Sequence, residues 1–230
     1  MILSNLPQII TAIGGLGTGA FGLLEAAKPV NPWIDRIGFG GIRQTVAALT
    51  PREAAGGSPA NALTQARILD SLLSNWINGM DLGSQKAIAK SLIKLHLSAG
   101  NAGALAQVAN VDAELLQQVA VCIASGTSLS QPQSDVYARF DLIVTAQLDQ
   151  CYQHADQSFR NWTRALAAGI AVLLALAGGW VLMGTDGFLW HREMAEALLI
   201  GLLATPLAPI AKDLSTALAT AVNTLQLVKK

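Results

Sequence analysis

The sequence predicts an all-α integral membrane protein with about three transmembrane helices, a helical cytoplasmic domain between the first and the second, and a long helical hairpin at the C-terminal end. Three observations support this fold class. Apolar residues make up 52% of the 230 residues and charged residues only 13%, about half of the roughly 25% that soluble domains carry. Three long segments contain no charge, and no alternation of apolar and polar residues is long enough to indicate a strand.

The first element is an N-terminal transmembrane helix within residues 1–27, whose uncharged part is rich in glycine. Gly15 and Gly19 are four residues apart, and Gly22 follows on the next turn. Small residues at this spacing let a neighbouring helix backbone approach closely in lipid, where no hydrophobic driving force brings helices together. Gly15, Gly19 and Gly22 are therefore candidates for a helix-packing face or a pore lining, and a simple membrane anchor is the alternative.

The next two elements precede the second uncharged segment. Residues 28–57 mix apolar, charged and glycine residues, which is typical of an amphipathic segment that lies at a membrane surface. Residues 58–133 predict a small cytoplasmic domain of four helices, because apolar residues recur there at helical spacing. Ser58 and Asp112 are the expected N-caps of the first and last of these helices, and Gly126 is an expected stop.

The C-terminal element is a helical hairpin over residues 134–230. From Ser134 apolar residues recur in helical register, without glycine or proline, into a segment of twenty-one uncharged residues at 165–185. About 20 such residues cross the roughly 30 Å hydrocarbon core of a bilayer. We therefore predict a transmembrane helix at 165–185 that continues a cytoplasmic helix, with about 50 residues and a length of roughly 75 Å in total.

The other helix of the hairpin contains the third transmembrane segment, 194–211, which includes two prolines. Pro206 and Pro209 each remove a backbone donor and clash with the preceding turn, which predicts a kink or a break near Thr205. Carbonyls freed at membrane depth need protein, a polar side chain or water as partners. The two prolines and the following Lys212 are therefore candidates for a pore or an oligomer contact, with Lys212 as the best single candidate for a pathway residue.

The distribution of basic residues predicts the orientation. Arg160 and Arg164 precede the second span, and two lysines end the chain, whereas the loop between the second and third spans contains one arginine. The positive-inside rule then places the middle region and the C-terminus in the cytoplasm of a bacterial-type inner membrane, with the N-terminus outside. Four tryptophans are expected interface anchors, two near the inner and two near the outer interface: Trp33, Trp162, Trp180 and Trp190.

Three lysines of the cytoplasmic domain recur every four residues and so lie on one helix face: Lys86, Lys90 and Lys94. A solvated face is the plain interpretation. The alternative is a contact with anionic lipid headgroups, an acidic partner or a nucleotide, because aligned ammonium groups gain Coulomb energy near a negative surface.

The sequence contains none of the motifs that we associate with enzymes: no P-loop, no dinucleotide-binding glycine pattern, no zinc-protease or serine-hydrolase motif. Cys151 and His154 could place two ligands beside one metal, but a zinc site needs more ligands than these. We expect no catalytic residue, no metal and no cofactor. The formal net charge of zero provides no basic field for nucleic acid, so we expect no nucleic-acid partner.

The layout resembles that of the TolQ and ExbB type proton-channel subunits, which have one span with an outside N-terminus, a helical cytoplasmic insert, and a hairpin whose helices extend below the membrane. Glu196-Ala-Leu-Leu and Pro206, in a helix of small residues, are similar to the third span of that family. The second span contains no Thr or Ser between Ile170 and Met183, and a glycine–threonine pattern lies in the first span instead. The resemblance is one of topology and implies an ion channel as one function.

Together these observations favour a non-enzymatic, homo-oligomeric membrane scaffold or anchor, in which the cytoplasmic helices form a docking or sensing surface. The alternative is an oligomeric ion channel or pore-forming membrane effector gated by the cytoplasmic domain. An enzyme that acts on lipids ranks third. The expected partners are the lipid bilayer and further copies of the chain, and a cytoplasmic protein partner is left open.

Overall fold

The computed structural model describes residues 6–51, 64–183 and 194–210, and in these residues it contains helices and no strand. The predicted all-α class is confirmed for this part of the chain. The helices are α1 (Leu6–Ala27), α2 (Phe39–Leu49), α3 (Gln65–Ile77), α4 (Leu82–His96), α5 (Ala102–Ala109), α6 (Ala113–Ser125), α7 (Gln131–Met183) and α8 (Met194–Ile210).

The chain divides into two compact units. Unit 1 contains α1, α8 and the part of α7 from Arg160 onward, whereas unit 2 contains Asp35–Phe159. The predicted long helix is confirmed, because α7 has 53 residues and no interruption. It begins at Gln131, three residues before the predicted start, and Pro132 lies in its first turn, where a missing backbone N–H costs no helical hydrogen bond.

Two helices of unit 1 are long and apolar enough to cross a membrane. They are Ile9–Ala27 of α1 and the apolar end of α7. In the most apolar 18 residues of each helix, only 22% are buried in α1 and 11% in α7. The core helix of a soluble protein would be mostly buried instead. Helix α8 is apolar but shorter, so a third complete crossing stays a prediction.

Helix α8 continues through both of its prolines, from Met194 to Ile210. Of the predicted kink or break near Thr205, the break is therefore wrong, and the kink stays a prediction. A proline removes only the one hydrogen bond that its own N–H would make, and the bonds of the neighbouring residues can hold the helix together. The carbonyls four residues earlier, on Leu202 and Thr205, are left without a helical donor.

Unit 2 has one apolar core, which α2 to α6 and the first half of α7 build. Its largest fully buried side chains include Ile42, Leu49, Ile68, Leu72, Ile93, Leu105, Leu116, Phe140, Leu148 and Tyr152. Helix α2 belongs to this core, so part of the segment 28–57 packs in the core of unit 2. The predicted place of this segment at a membrane surface stays a prediction, and residues 52–57 lie outside the described residues. The four buried residues of α2, Phe39, Ile42, Val46 and Leu49, are three or four positions apart and so form one helix face, which the flanking glycines obscured in the sequence.

A tight turn leads into α2. Gly38 has φ +89°, and a Cβ at this position would lie 2.5 Å from the carbonyl oxygen of Ala155 and 3.2 Å from Cζ2 of Trp76. The Trp76 ring in turn meets Phe159 edge to face, with centroids 6.1 Å apart. Only glycine combines this backbone conformation with so close an approach to α7.

The helix caps of unit 2 agree in part with the prediction. Asp112 caps α6, since its side chain accepts the N–H of Leu115 at 2.8 Å, and Gly126 ends that helix with φ +70°. The first predicted cap, Ser58, lies outside the described residues. Helix α3 begins later, at Gln65, and its N-cap is Thr64, so the predicted start is corrected.

Candidate helix-packing and ion-pair sites

The helices of unit 1 meet through small side chains. Ala20 of α1, Ala171 of α7 and Ala204 of α8 are fully buried at the centre of their contact. Partly buried apolar residues surround them: Ile13, Leu16, Ile170 and Leu174. Alanine and glycine at such a contact let helix backbones come close enough to gain van der Waals energy without large side chains.

Two glycines allow the closest approaches. A Cβ on Gly17 would collide with the carbonyl oxygen of Ala204. A Cβ on Gly201 would lie 2.5 Å from Cα and 2.9 Å from N of Val172. Because backbone atoms cannot turn away as the end of a flexible side chain can, both contacts require glycine.

The glycines selected from the sequence lie on a different face. A Cβ on Gly15, Gly19 or Gly22 would meet nothing within 4 Å, and all three residues are exposed. Among the described residues, these three glycines therefore do not pack α1 against another helix. Gly17 was not among the residues predicted from the sequence, although the spacing of Gly14, Gly17 and Ala20 indicates a second small face of α1.

The exposed glycines belong to a continuous row. We call it the outer stripe of α1; its members are small, exposed and three or four residues apart: Ala12, Gly15, Gly19, Gly22 and Ala26. No larger side chain interrupts this row over four turns. The described part of unit 1 leaves the stripe uncovered.

Helix α8 contains polar groups that lack partners. Pro206 and Pro209 are exposed, and the Leu202 side chain is 57% exposed. The hydroxyl oxygen of Thr205 is buried and has no hydrogen-bond partner in the part of the chain that the structure describes. Lys212 lies outside the described residues, so its predicted place beside these groups is still a prediction.

Many large apolar side chains of unit 1 are exposed. Leu173 is 68% exposed, Val181 is 84% exposed and Leu199 is 59% exposed. Three of the four expected interface tryptophans, Trp33, Trp162 and Trp180, are exposed as well, and Trp190 lies outside the described residues. The arrangement reverses the pattern of a soluble protein, which buries its large apolar residues.

A row of ion pairs joins α4 to α7 within unit 2; we call it the lysine–aspartate ladder. Lys86 donates to Asp149 at 2.5 Å, and Asp141 accepts from Lys90 at 2.6 Å and from Lys94 at 3.0 Å. Lys86 and Lys94 are eight residues apart, as are Asp141 and Asp149. The pairs connect the start of one segment with the end of the other, so the two helices run antiparallel there.

The ladder perturbs the pKa values of Asp141 and Lys94. Partial burial opposes the charged form of Asp141, but the hydrogen bonds from Lys90 and Lys94 outweigh it and lower the pKa of this carboxyl. Burial likewise opposes the charged form of Lys94, whereas its contacts with Asp141 and Tyr137 raise the pKa. The Lys94 ammonium also lies 4.9 Å from the centroid of the Tyr137 ring, a cation–π distance.

The ladder identifies a binding partner for the row of three lysines, which the sequence alone left open. The acidic partner of Lys86, Lys90 and Lys94 is a helix of the same chain. Sequence reasoning missed Asp141 and Asp149 because the paired residues are 47 to 63 positions apart. The equal eight-residue spacing on the two helices was the available signal.

The two residues considered as metal ligands do not form a site. Cys151 is buried, which raises the pKa of its thiol, whereas His154 is exposed. Among the described residues, no group of three or more His, Cys, Asp or Glu side chains could hold a metal ion.

Comparison with known proteins adds no relative to this description: no protein-family model, no curated protein and no solved structure matches the chain.

Proposed function

We propose that the protein is a non-enzymatic, homo-oligomeric membrane scaffold or anchor whose helical unit 2 forms a docking or sensing surface. The observation that carries this proposal is the packing of unit 1, with glycine and alanine inside the helix contacts and large apolar side chains outside. Lipid can cover an apolar exterior at no cost, whereas water cannot.

The proposed topology has three crossings, by α1, by the apolar end of α7 and by α8. The N-terminus lies outside, and unit 2 and the C-terminus lie in the cytoplasm of a bacterial-type inner membrane. The support is the excess of basic residues, among them Arg160 and Arg164, on the side that unit 2 occupies.

Two surfaces of unit 1 support assembly with further copies. The outer stripe of α1 offers small residues over four turns, and a partner helix could pack closely on it. On α8, the prolines leave backbone carbonyls without helical donors, and such carbonyls are costly against lipid unless protein or water covers them. We place the contacts between copies on these two surfaces.

Unit 2 also has uncovered apolar side chains, which support a docking role. Leu95 is 75% exposed, Leu142 is 69% exposed and Val121 is 52% exposed. Single exposed apolar residues are common in soluble domains. We therefore assign the docking role to unit 2 as a whole rather than to one of these residues.

Native mass spectrometry of the detergent-purified protein tests the assembly. We expect an oligomer from the unchanged chain, and a shift towards monomer in Gly15→Leu and Gly19→Leu, because a leucine on the outer stripe keeps a neighbouring backbone at a distance. Gly178→Leu is the matched control, since Gly178 is also exposed and also has open space at its Cβ position. A monomeric unchanged protein, or equal losses in all three variants, contradicts the proposal.

A second candidate function is an oligomeric ion channel, and the groups of α8 favour it. The Thr205 hydroxyl is buried and has no partner among the residues that the structure describes. This hydroxyl and the carbonyls that the prolines free are the kind of oxygen ligand that lines ion pathways. Purified protein in liposomes would then conduct ions, and Pro206→Ala, which restores a helical donor, would reduce the flux. Pro132→Ala, at the start of α7, is the control and should leave it unchanged. Flux no higher than in empty liposomes contradicts the channel.

A further inference from the structure

Helix α4 contacts the rest of unit 2 through both apolar and charged side chains. Its fifteen residues include three lysines and no acidic residue. The fully buried residues of α4 are Gln85, Ala89 and Ile93, and Leu82, Ile88 and Leu92 are partly buried against the same core. The Oε1 atom of Gln85 is buried without a hydrogen-bond partner among the described residues, which opposes the docking of the helix. Apolar burial is therefore one part of what attaches α4, and the ladder is the other.

The lysine–aspartate ladder adds an electrostatic attraction between α4 and α7. On α4 alone, lysines four residues apart repel one another. Asp141 and Asp149 oppose this repulsion, because each lysine then has a carboxylate oxygen at 2.5 to 3.0 Å. The favourable contacts therefore dominate the electrostatic energy of the contact between α4 and α7.

The charged groups of the ladder are partly exposed to the solution. The side chains of its five members are between 27% and 44% exposed, so dissolved ions can reach them. The screening length falls from about 10 Å at 0.1 M salt to about 3 Å at 1 M. Because the attraction is larger than the repulsion, added salt weakens the net hold on α4.

We propose that the lysine–aspartate ladder is a salt-sensitive latch, which holds α4 on α7 at low ionic strength and loosens it at high ionic strength. The inference deepens the sensing role proposed for unit 2 and rests on it, and it names ionic strength as the signal. Loosening of α4 uncovers its lysines together with the apolar side chains of Ile88 and Leu92, which pack against the core in the latched state.

Hydrogen–deuterium exchange of the full-length protein in a neutral detergent tests the latch. Between 50 and 500 mM NaCl, we expect the backbone amides of α4 to exchange at least about fivefold faster, the factor that one exposed ion pair can contribute. The amides of α6 are the internal reference, because α6 contains a single charged residue, Glu114. Sucrose at equal osmolality should leave both helices unchanged.

Variants of the ladder distinguish loosening of α4 from a general loss of stability of unit 2. In Asp141→Asn combined with Asp149→Asn, α4 should exchange fast already at 50 mM NaCl and no longer respond to salt. Asp70→Asn, at an exposed aspartate of α3, is the matched control and should keep the full response. Lys86→Asp alone and Asp149→Lys alone should each make the α4 amides exchange faster. The two changes together restore an ion pair with its charges reversed and should slow the exchange again.

Three results would overturn the latch: no salt response in α4, an equal response in α6, or a response that persists in the doubly neutral variant. Native mass spectrometry of the same samples distinguishes this failure from failure of the proposed function. If the protein is an oligomer and the exchange of α4 does not change with salt, the latch alone is contradicted. If the protein is a monomer and the exchange of α4 does respond to salt, the oligomeric scaffold alone is contradicted.

Discussion

Replacing Gly38 by alanine should destabilise unit 2 by about 3 kcal/mol, the sum expected for a strained backbone conformation and an overpacked contact. The residue has a positive φ, and the added methyl group would lie 2.5 Å from the carbonyl oxygen of Ala155. That oxygen belongs to the backbone of α7, so relief requires α2 and α7 to move apart. Denaturant unfolding in detergent, followed by hydrogen exchange of α2, measures the loss.

Gly103→Ala is the matched control for that change. Gly103 lies within α5, and a Cβ there would meet nothing within 4 Å. Alanine is the better helix former, so this variant should gain about 0.5–1 kcal/mol. Equal stabilities of the two variants would show that the turn before α2 tolerates a side chain and that Gly38 is not required.

Replacing Gly201 by alanine should destabilise unit 1 by about 2–3 kcal/mol. The new Cβ would lie 2.5 Å from Cα and 2.9 Å from Cγ2 of Val172. The first of these atoms is part of the backbone, so the helices must separate. Titration of the detergent-solubilised protein with sodium dodecyl sulfate, followed by tryptophan fluorescence, should show unfolding at a lower fraction of that detergent.

Two further variants make this test specific. Val172→Ala removes Cγ2 but keeps Cα, so adding it to Gly201→Ala should not restore stability. Gly169→Ala, at an exposed glycine of α7 with open space around it, should unfold like the unchanged protein. Rescue by Val172→Ala would mean that side-chain crowding, and not backbone contact, sets the distance between α7 and α8.

The sequence was most informative where one helix face decides the structure. The unbroken helical register after Ser134 predicted α7, and Asp112 with Gly126 correctly bounded α6, because caps and periodicity are local properties. In segment 28–57 the glycines obscured the short buried face of α2, which packs in the core of unit 2. The break expected at Pro206 did not occur because loss of single hydrogen bonds does not end a helix.

The contacts of the candidate sites were harder to predict for a common reason. Helix α1 has two faces of small residues, one with Gly17 and one with Gly15 and Gly19, and the sequence alone does not show which of them another helix of the chain covers. Gly201 is likewise recognised only when its partner helix is known. The ladder likewise depends on residues of α7 far from α4 in sequence. Spacing identified the lysine row, but no local pattern could show that its partner lies within the same chain.

The contact of Gly17 with Ala204 has a consequence for biosynthesis. The two residues are 187 positions apart (204 minus 17), and ribosomes add about 5–20 residues per second. In the proposed topology, α1 therefore enters the bilayer roughly 10 to 40 seconds before α8 exists. During that interval its buried glycine face has no α8 to cover it, so nascent chains on neighbouring ribosomes could pair prematurely through the very surface that α8 later occupies.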